Sequence, residues 1–165
     1  MSTRPIALIP MVFALLCAAP AWSYDVAMAE SYAQLFEPVN GAGAGKALHL
    51  MSPAAFVEKV KANQPLVTLD VRTFAESGIY TSILPGALVI PIDRLFMPQN
   101  LARIPVDKTV VVLCMSGTRA TAAGTALRHI GFDNVYVLKG GFKALAAYLG
   151  PKEANPTPDK PAAKR

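Results

Sequence analysis

Residues 109–119 read Thr-Val-Val-Val-Leu-Cys-Met-Ser-Gly-Thr-Arg, and this stretch decides the fold. Its first five residues form a β-rich apolar run of the kind that is buried in parallel sheets. Cys114 ends the run, and a short polar loop containing Gly117 follows it. A helical pattern over Arg119–Ile130 begins at once, with Gly131 just past its end. A buried strand that passes directly through a loop into a helix is typical of an α/β protein with a parallel sheet.

Three more short apolar runs predict further strands of the same sheet. These runs are Leu66–Val71, Ala87–Ile90 and Val135–Leu138. One helix is predicted to begin at Pro53 with Ser52 as its N-cap, and a last helix is predicted over Phe142–Leu149. Strands that alternate with helices predict a mostly parallel central sheet covered by helices on both faces.

The composition fits one globular domain. The chain has 165 residues, of which 53% are apolar and 16% charged, so it can bury one substantial core. Its formal net charge is +5, but the basic residues form no stripe with interleaved aromatic residues. The charge pattern therefore argues against nucleic-acid binding.

The first residues are typical of an export signal. Arg4 precedes the apolar segment Ile6–Ala19, which is shorter than the roughly 20 residues that a membrane-spanning helix needs. Ala21-Trp22-Ser23 then offers small residues at the positions that a signal peptidase reads. We expect an exported, periplasmic protein without a stable membrane span, whose signal peptide is cleaved near Ser23. A retained membrane anchor is the alternative.

The chain accordingly divides into four predicted parts. These are a signal peptide (1–23), an N-terminal extension (24–51), the regular domain (52–150) and a tail (151–165). The tail is rich in Pro, Ala and Lys without hydrophobic periodicity, which predicts disorder. Cleavage removes Cys17 and leaves Cys114 as the single thiol of the mature chain. An unpaired thiol in an oxidising compartment is expected to be either buried or used.

The loop around Cys114 predicts an activated nucleophile. In open α/β sheets, ligands bind beyond the carboxyl ends of the strands, and Cys114 stands at such an end. The backbone amides of the loop and the start of the next helix favour the thiolate over the thiol. Arg119 adds a permanent positive charge. The candidate substrate-binding loop consists of Met115, Ser116, Gly117 and Thr118. The alternative, that Cys114 is only a small buried hydrophobe, is disfavoured by the polarity of this loop.

Segment 114–119 resembles the active-site loop of rhodanese domains, in which a cysteine opens a six-residue loop and carries a persulfide. Other segments resemble the family in the same order along the chain. They are Leu69-Asp70-Val71-Arg72 with Glu76 and Gly78, Pro85-Gly86-Ala87 with Ile90-Pro91-Ile92, and Val137-Leu138-Lys139-Gly140-Gly141-Phe142. The resemblance covers about residues 52–149 and implies a rhodanese-like three-layer α/β fold.

The resemblance implies a sulfurtransferase that works by double displacement. Cys114 would take the outer sulfur of a donor such as thiosulfate and pass it to a thiophilic acceptor, which is cyanide in an assay and a thiol or a protein in the cell. Cys114 and Arg119 are the expected catalytic residues, and neither a metal nor an organic cofactor is expected. Asp70 and Arg72 are candidate supporting residues that orient the loop or pair with Arg119 and a nearby acid. The favoured alternative for them is a structural ion pair or a capped strand end. Glu76 is interpreted as a helix-start or salt-bridge residue.

Loop length and charge separate the competing hypotheses. Four residues lie between Cys114 and Arg119, one fewer than in phosphatases with a similar scaffold, so a phosphatase or an arsenate reductase relative is disfavoured. Arg119 is the only cation of the loop, whereas rhodaneses that prefer thiosulfate often carry more. A non-catalytic or slow sulfur-carrier module is therefore the second hypothesis. The family's histidine-containing turn is replaced by a longer segment in which Tyr80 or Thr81 is expected to shape the pocket.

Overall fold

The computed structural model describes residues 23–79, 84 and 86–150. The predicted signal peptide up to residue 22, the tail from residue 151 onwards, and Tyr80, Thr81 and Pro85 lie outside the described residues. Within the described part, no helix is long and apolar enough to cross a membrane.

The described residues form a five-stranded sheet in the order β1-β5-β4-β2-β3. The strands are β1 (Leu50–Met51), β2 (Leu66–Asp70), β3 (Leu88–Val89), β4 (Thr109–Leu113) and β5 (Val135–Leu138). Every pair of neighbouring strands is parallel. The last four lie within the predicted runs, so the predicted parallel sheet is confirmed. β1 was not predicted, because two residues are too few to show a period.

Helices fill the segments between the strands and flank the sheet. They are α1 (Val26–Phe36), α2 (Ala44–Ala47), α3 (Pro53–Lys61), α4 (Phe74–Ile79), α5 (Ile92–Leu95), α6 (Pro98–Leu101), α7 (Thr118–His129) and α8 (Gly141–Tyr148). α3 begins as predicted, since the Ser52 hydroxyl accepts a hydrogen bond from the Ala55 amide at 3.1 Å. α7 ends as predicted, because Gly131 follows its last turn with a φ of +102°.

The central strand β4 separates two apolar layers. Val110 and Val112 point into a cluster that includes Ala123 and Leu127 of α7. Val111 and Leu113 point into a second cluster, which includes residues of α3 and α8. These four of the five β4 side chains are fully buried, because successive residues face opposite sides of the sheet and an apolar layer covers each side. Helices therefore cover both faces, which confirms the predicted three-layer α/β fold.

The parallel pairing brings the carboxyl ends of three strands together. Asp70, the last residue of β2, is in register with Leu113 of β4 on one side and with Val89 of β3 on the other. Segments that leave these strands consequently start along one edge of the sheet. Cys114 follows β4 at that edge.

The N-terminal extension packs against the side of the domain that is opposite to β2 and β3. β1 pairs with β5, and the Val137 amide donates to the His49 carbonyl oxygen at 2.9 Å. In α1 no residue is buried, yet the Tyr32 ring stacks on His129 at the end of α7 with 4.0 Å between the ring centroids. The extension thus supplies an edge strand and an outer helix.

Candidate active site

Cys114 lies at the carboxyl end of the central strand β4 and is buried. Residues 115–117 form the turn that follows, and α7 begins at Thr118. β4 is paired on both sides, with β2 and with β5, so the point at which Cys114 leaves the sheet is firmly fixed. The chain folds in this way because an apolar run gives way abruptly to Ser, Gly and Thr, residues that favour turns and helix starts. Among the described residues Cys114 is the one cysteine, and it is free.

The loop closes on the sulfur of Cys114. The Gly117 amide donates a hydrogen bond to Cys114 Sγ across 3.2 Å. Gly117 has a φ of +93°, a left-handed conformation that favours glycine. The N–H group of Gly117 is thus directed at the sulfur, and the start of α7 adds partial positive charge on the same side. The sequence predicted both the turn at Gly117 and the helix after it.

The start of α8 holds the loop from the other side. The Phe142 amide donates to the Cys114 carbonyl oxygen at 2.9 Å, and the Lys143 amide donates to the Met115 carbonyl oxygen at 3.0 Å. The first amides of a helix have no partner within the helix, so they are available for such contacts. α8 thus holds two carbonyl oxygens of the loop, while the Gly117 amide contacts the sulfur.

The double glycine before α8 makes this close approach possible. Gly141 has a φ of +59°, and a Cβ atom on it would collide with the Cys114 carbonyl oxygen. The same Cβ atom would lie 2.7 Å from the Gly117 nitrogen. The sequence resemblance identified this pair of glycines, but only the structure shows that one of them touches the candidate catalytic loop.

Arg119 forms a bidentate ion pair with Glu76 of α4. Its Nη1 lies 2.7 Å from Glu76 Oε2 and its Nη2 lies 2.6 Å from Oε1. The hydrogen bonds to Arg119, followed by one from the Thr73 amide, lower the pKa of Glu76 to about 2. The pKa of Arg119 is raised, chiefly by Glu76 and to a smaller extent by Cys114. Arg119 is thus held near the sulfur with much of its charge already balanced.

Glu76 has both of the roles considered for it from the sequence. Besides pairing with Arg119, it accepts a hydrogen bond from the Thr73 amide at 2.9 Å, while its own amide donates to the Thr73 hydroxyl at 3.2 Å. This reciprocal arrangement is a capping box, which begins α4. The partnership with Arg119 spans 43 positions along the chain, so sequence spacing gave no sign of it.

Asp70 and Arg72 form a buried ion pair, the alternative favoured for them from the sequence. Arg72 Nη2 lies 2.7 Å from Asp70 Oδ2, with side-chain exposures of 0% and 1%. The Arg72 guanidinium also lies over the Phe142 ring, 4.3 Å from its centroid. The pair therefore connects the end of β2 with the start of α8, whose amides hold the Cys114 loop. Arg119 pairs with Glu76, so the considered pairing of Asp70 or Arg72 with Arg119 is replaced by two separate ion pairs.

The predicted loop also contains residues whose side chains face the solvent. Met115 and Ser116 are exposed, and the Ser116 hydroxyl lies 3.3 Å from that of Thr118. Met115 lines a cavity of 420 Å³ together with Phe142, Lys143 and Ala146. Sequence reasoning missed Phe142 and Lys143 as site residues, although the double glycine just before them was a signal.

Neither of the two histidines of the chain lies in this loop. His49 Nδ1 lies 3.0 Å from the Val135 carbonyl oxygen at the start of β5, and His129 stacks on Tyr32. In the part of the chain that the structure describes, no three His, Cys, Asp or Glu side chains group as metal ligands.

The sequence of the chain is similar to those of known proteins. Residues 52–148 match the model of the family described as "Rhodanese-like domain". A sulfurtransferase of Allochromatium vinosum is 32% identical over 91 residues, which cover 55% of this chain and 81% of that protein. The probable adenylyltransferase/sulfurtransferase MoeZ of Mycobacterium tuberculosis is 30% identical over 101 residues, 61% of this chain. That match spans only 25% of the longer relative.

A solved structure extends the comparison to three dimensions. The rhodanese-related protein of Thermoplasma volcanium superposes with a TM-score of 0.53 at 29% sequence identity. The superposition covers 62% of this chain and 95% of that one. Nearly the whole of that protein therefore shares the fold of part of this chain.

Proposed function

Because the chain belongs to the rhodanese-like domain family, we propose that it is a sulfurtransferase in which Cys114 carries sulfane sulfur as a persulfide. The donor is a small sulfur compound such as thiosulfate. The acceptor is thiophilic, a thiol or a protein in the cell and cyanide in an assay. The proposed chemistry requires neither a metal nor an organic cofactor.

One contact carries the proposal, the hydrogen bond from the Gly117 amide to Cys114 Sγ at 3.2 Å. It supports the thiolate form, which is the nucleophilic form of cysteine. The amides of the same loop suit the negative terminal sulfur of a persulfide, because fixed dipoles need no reorganisation as charge moves onto it. A cysteine with a purely structural role in the core does not need hydrogen-bond donors directed at its sulfur.

The proposed reaction has two balanced steps. The Cys114 thiolate attacks the outer sulfur of thiosulfate, the S–S bond of thiosulfate breaks, and sulfite leaves with the bonding electron pair. Cys114 then holds a persulfide that carries one negative charge. A thiolate or cyanide attacks the terminal sulfur in the second step, which releases a persulfide or thiocyanate and restores the Cys114 thiolate.

A second function, a sulfur carrier without rapid turnover, is favoured by one observation. Arg119 is the only cation of the loop, and Glu76 neutralises much of its charge through two short hydrogen bonds. A site with so little net positive charge attracts a dianionic donor weakly. Such a module would receive sulfur from one protein and deliver it to another. A phosphatase or arsenate reductase function is disfavoured by the short loop.

The two functions are separated by the reaction with thiosulfate and cyanide. The sulfurtransferase proposal expects continuous thiocyanate formation, together with a mass increase of one sulfur atom on the protein when cyanide is absent. The carrier proposal expects the same mass increase without turnover. If no sulfur donor produces the adduct, both proposals are wrong.

Two cysteine variants provide the matched control. We expect Cys114→Ser to form no adduct and no thiocyanate, because a hydroxyl at this position cannot form a persulfide. Cys17→Ser changes the other cysteine, which belongs to the proposed signal peptide, and is expected to leave the adduct unchanged. An adduct that persists in Cys114→Ser would place the sulfur elsewhere.

We further propose that the protein is exported to the periplasm and cleaved near Ser23. The support is the sequence pattern of Arg4, the apolar segment and Ala21-Trp22-Ser23. The intact mass of the processed protein tests this proposal. A mass that includes residues 1–23 would support the retained anchor instead.

A further inference from the structure

A basic cavity lies where the N-terminal extension meets α7 and β5. Its volume is 520 Å³, within the range of about 300–1,000 Å³ that small-molecule sites occupy. Lys46 and His49 of the extension line it, together with Arg128 from the last turn of α7 and Tyr136 of β5. Among the described residues that line the cavity, Lys46, His49 and Arg128 are basic and none is acidic. The cavity therefore combines the domain with an extension that lies outside the family match of residues 52–148.

Arg128 forms no ion pair with a carboxylate in the described part of the chain. Three arginines of that part are buried or half-buried, namely Arg72, Arg119 and Arg128. The first two each form an ion pair with a carboxylate, at 2.7 and 2.6 Å. Arg128 instead donates from Nη2 to the Ala47 carbonyl oxygen at 2.9 Å. This bond fixes the guanidinium group but leaves its charge without a counterion, and a half-buried cation of this kind favours a bound anion.

Lys46 adds a second cation to the same cavity. It is exposed, and it too forms no ion pair with another described residue. The guanidinium fork of an arginine can bind two oxygens of a phosphoryl group, and an ammonium group can bind a third. Two cations around one cavity therefore suit a phosphate dianion better than a carboxylate with a single charge.

His49 is held in one orientation at the cavity. Its Nδ1 lies 3.0 Å from the Val135 carbonyl oxygen. Because a carbonyl oxygen only accepts, Nδ1 carries the proton, and Nε2 is the nitrogen that remains for a ligand. The ring stacks on Tyr136 with 4.7 Å between the ring centroids. The φ of His49 is +53°, which is uncommon for a residue other than glycine, and backbone strain of this kind clusters at ligand sites.

We propose that this cavity binds a small organic phosphate monoester. The Arg128 guanidinium and the Lys46 ammonium group face the phosphoryl oxygens, and His49 Nε2 forms a hydrogen bond with the same group. The organic part of the ligand lies along the Tyr136 ring. The binding involves no covalent step and does not depend on the proposed sulfurtransferase function.

Calorimetric titration of the full chain with phenyl phosphate tests the proposal. The titration is made at about pH 8, where a phosphate monoester is a dianion. Benzoate is the comparison ligand, because it carries the same ring with a single negative charge. We expect phenyl phosphate to bind at least about tenfold more tightly than benzoate, since two cations face its two charges. Equal affinities, or no binding of phenyl phosphate, would overturn the proposal.

Substitutions of the two cations test which residues hold the phosphate. Lys46→Met and Arg128→Met are each expected to weaken the binding of phenyl phosphate about tenfold, because each removes a charged hydrogen-bond donor. Lys108→Met is the matched control, since it changes the net charge equally and Lys108 is exposed but does not line the cavity. Equal losses in Lys46→Met and Lys108→Met would mean that only net charge matters, and the proposal would be wrong. Lys46→Met decides alone if Arg128→Met does not fold by circular dichroism.

Arg119→Met distinguishes this cavity from the candidate active site. It removes the cation of the Cys114 loop and is expected to leave the affinity for phenyl phosphate unchanged. If Arg119→Met weakens the binding as much as Lys46→Met does, the anion binds at the Cys114 loop and the cavity proposal is wrong. If Lys46→Met alone weakens the binding while no sulfur donor modifies Cys114, the cavity binds its ligand and the proposed sulfurtransferase function is wrong.

Discussion

Gly141 determines how closely α8 approaches the candidate catalytic loop. A Cβ atom at this position would collide with the Cys114 carbonyl oxygen, and the φ of +59° is unfavourable for any other residue. We predict that Gly141→Ala destabilises the protein by more than the ~1–2 kcal/mol that a left-handed residue costs. Because the loop has to shift away from α8, we also expect persulfide formation to fall at least tenfold. Urea unfolding and the sulfur adduct measure the two effects.

Gly131→Ala is the matched control for this prediction. Gly131 also has a positive φ, +102°, but a Cβ atom there would meet nothing within 4 Å. This variant should therefore lose only the conformational part, about 1–2 kcal/mol, and should still form the adduct. Equal effects of the two substitutions would contradict the importance of the contact between Gly141 and the loop.

The pair of Glu76 and Arg119 predicts how stability changes with pH. Hydrogen bonds from Arg119, and to a smaller extent from Thr73, lower the pKa of Glu76 from 4.5 to about 2 in the folded protein. A carboxyl group whose pKa is lowered by folding stabilises the protein above its unfolded value, and this contribution is lost as the pH falls from about 4.5 towards 2. We therefore expect the stability difference between wild type and Glu76→Gln to be constant from pH 7 to 5 and to shrink below pH 4.5.

Urea unfolding at a series of pH values measures this difference. Glu58→Gln is a suitable control, because Glu58 forms only an exposed ion pair with Lys61 at 3.5 Å. Its effect on stability should be small at every pH. Parallel stability curves for wild type and Glu76→Gln down to pH 3 would contradict the assigned shift in pKa.

At the scale of elements, the buried pair of Asp70 and Arg72 joins the end of β2 to the start of α8. Removal of one partner leaves a buried charge without its counterion, which typically costs about 3–5 kcal/mol. We predict a loss of this size for Arg72→Met and a clearly smaller loss for the double variant Asp70→Asn/Arg72→Met. Urea unfolding of the two single variants and the double variant completes the thermodynamic cycle. If the two single losses simply add in the double variant, the two residues are not coupled.

The elements differ in how well the sequence predicts them. β4 and α7 are evident from the sequence. The run Thr109–Leu113 consists mostly of β-branched, apolar residues, and it leads into a helical pattern that ends at Gly131. β1 is invisible because two residues carry no period, and it is a strand only because β5 offers it a partner. The α7 start at Thr118, rather than at the predicted Arg119, is a difference of one residue, as is usual at helix ends.

The candidate site shows the same difference between local patterns and contacts that are distant in the chain. Cys114, Gly117 and the double glycine stand in local patterns that the sequence displays directly. The pairing of Arg119 with Glu76 depends on the order of the strands, because β2 and β4 are neighbours in the sheet but far apart in the chain. Local sequence contains no information on such a partnership.

At the scale of the molecule, the N-terminal extension completes the sheet. Val137 and Lys139 donate their amides to His49 and Met51 at 2.9 and 2.8 Å, and Met51 is 5% exposed in the core. We predict that deletion of residues 24–51 destabilises the domain by at least about 2 kcal/mol, because a core side chain and two hydrogen-bond acceptors are lost. Deletion of residues 24–40 removes α1, in which no residue is buried, and should cost much less. Thermal unfolding of the two shortened proteins makes the comparison, and equal melting temperatures would contradict it.

The short edge strands affect how readily the folded protein aggregates at high protein concentration. β1 and β3, which border the sheet in the described part of the chain, are two residues long each. An edge strand exposes backbone groups that a second molecule can pair with, and short edges offer too little length for this to propagate. The five-residue strands β2 and β4, whose apolar sequences resemble those that form fibrils, lie inside the sheet. The strand order therefore protects the folded protein against amyloid-like polymerisation, and that protection is lost as soon as the domain unfolds.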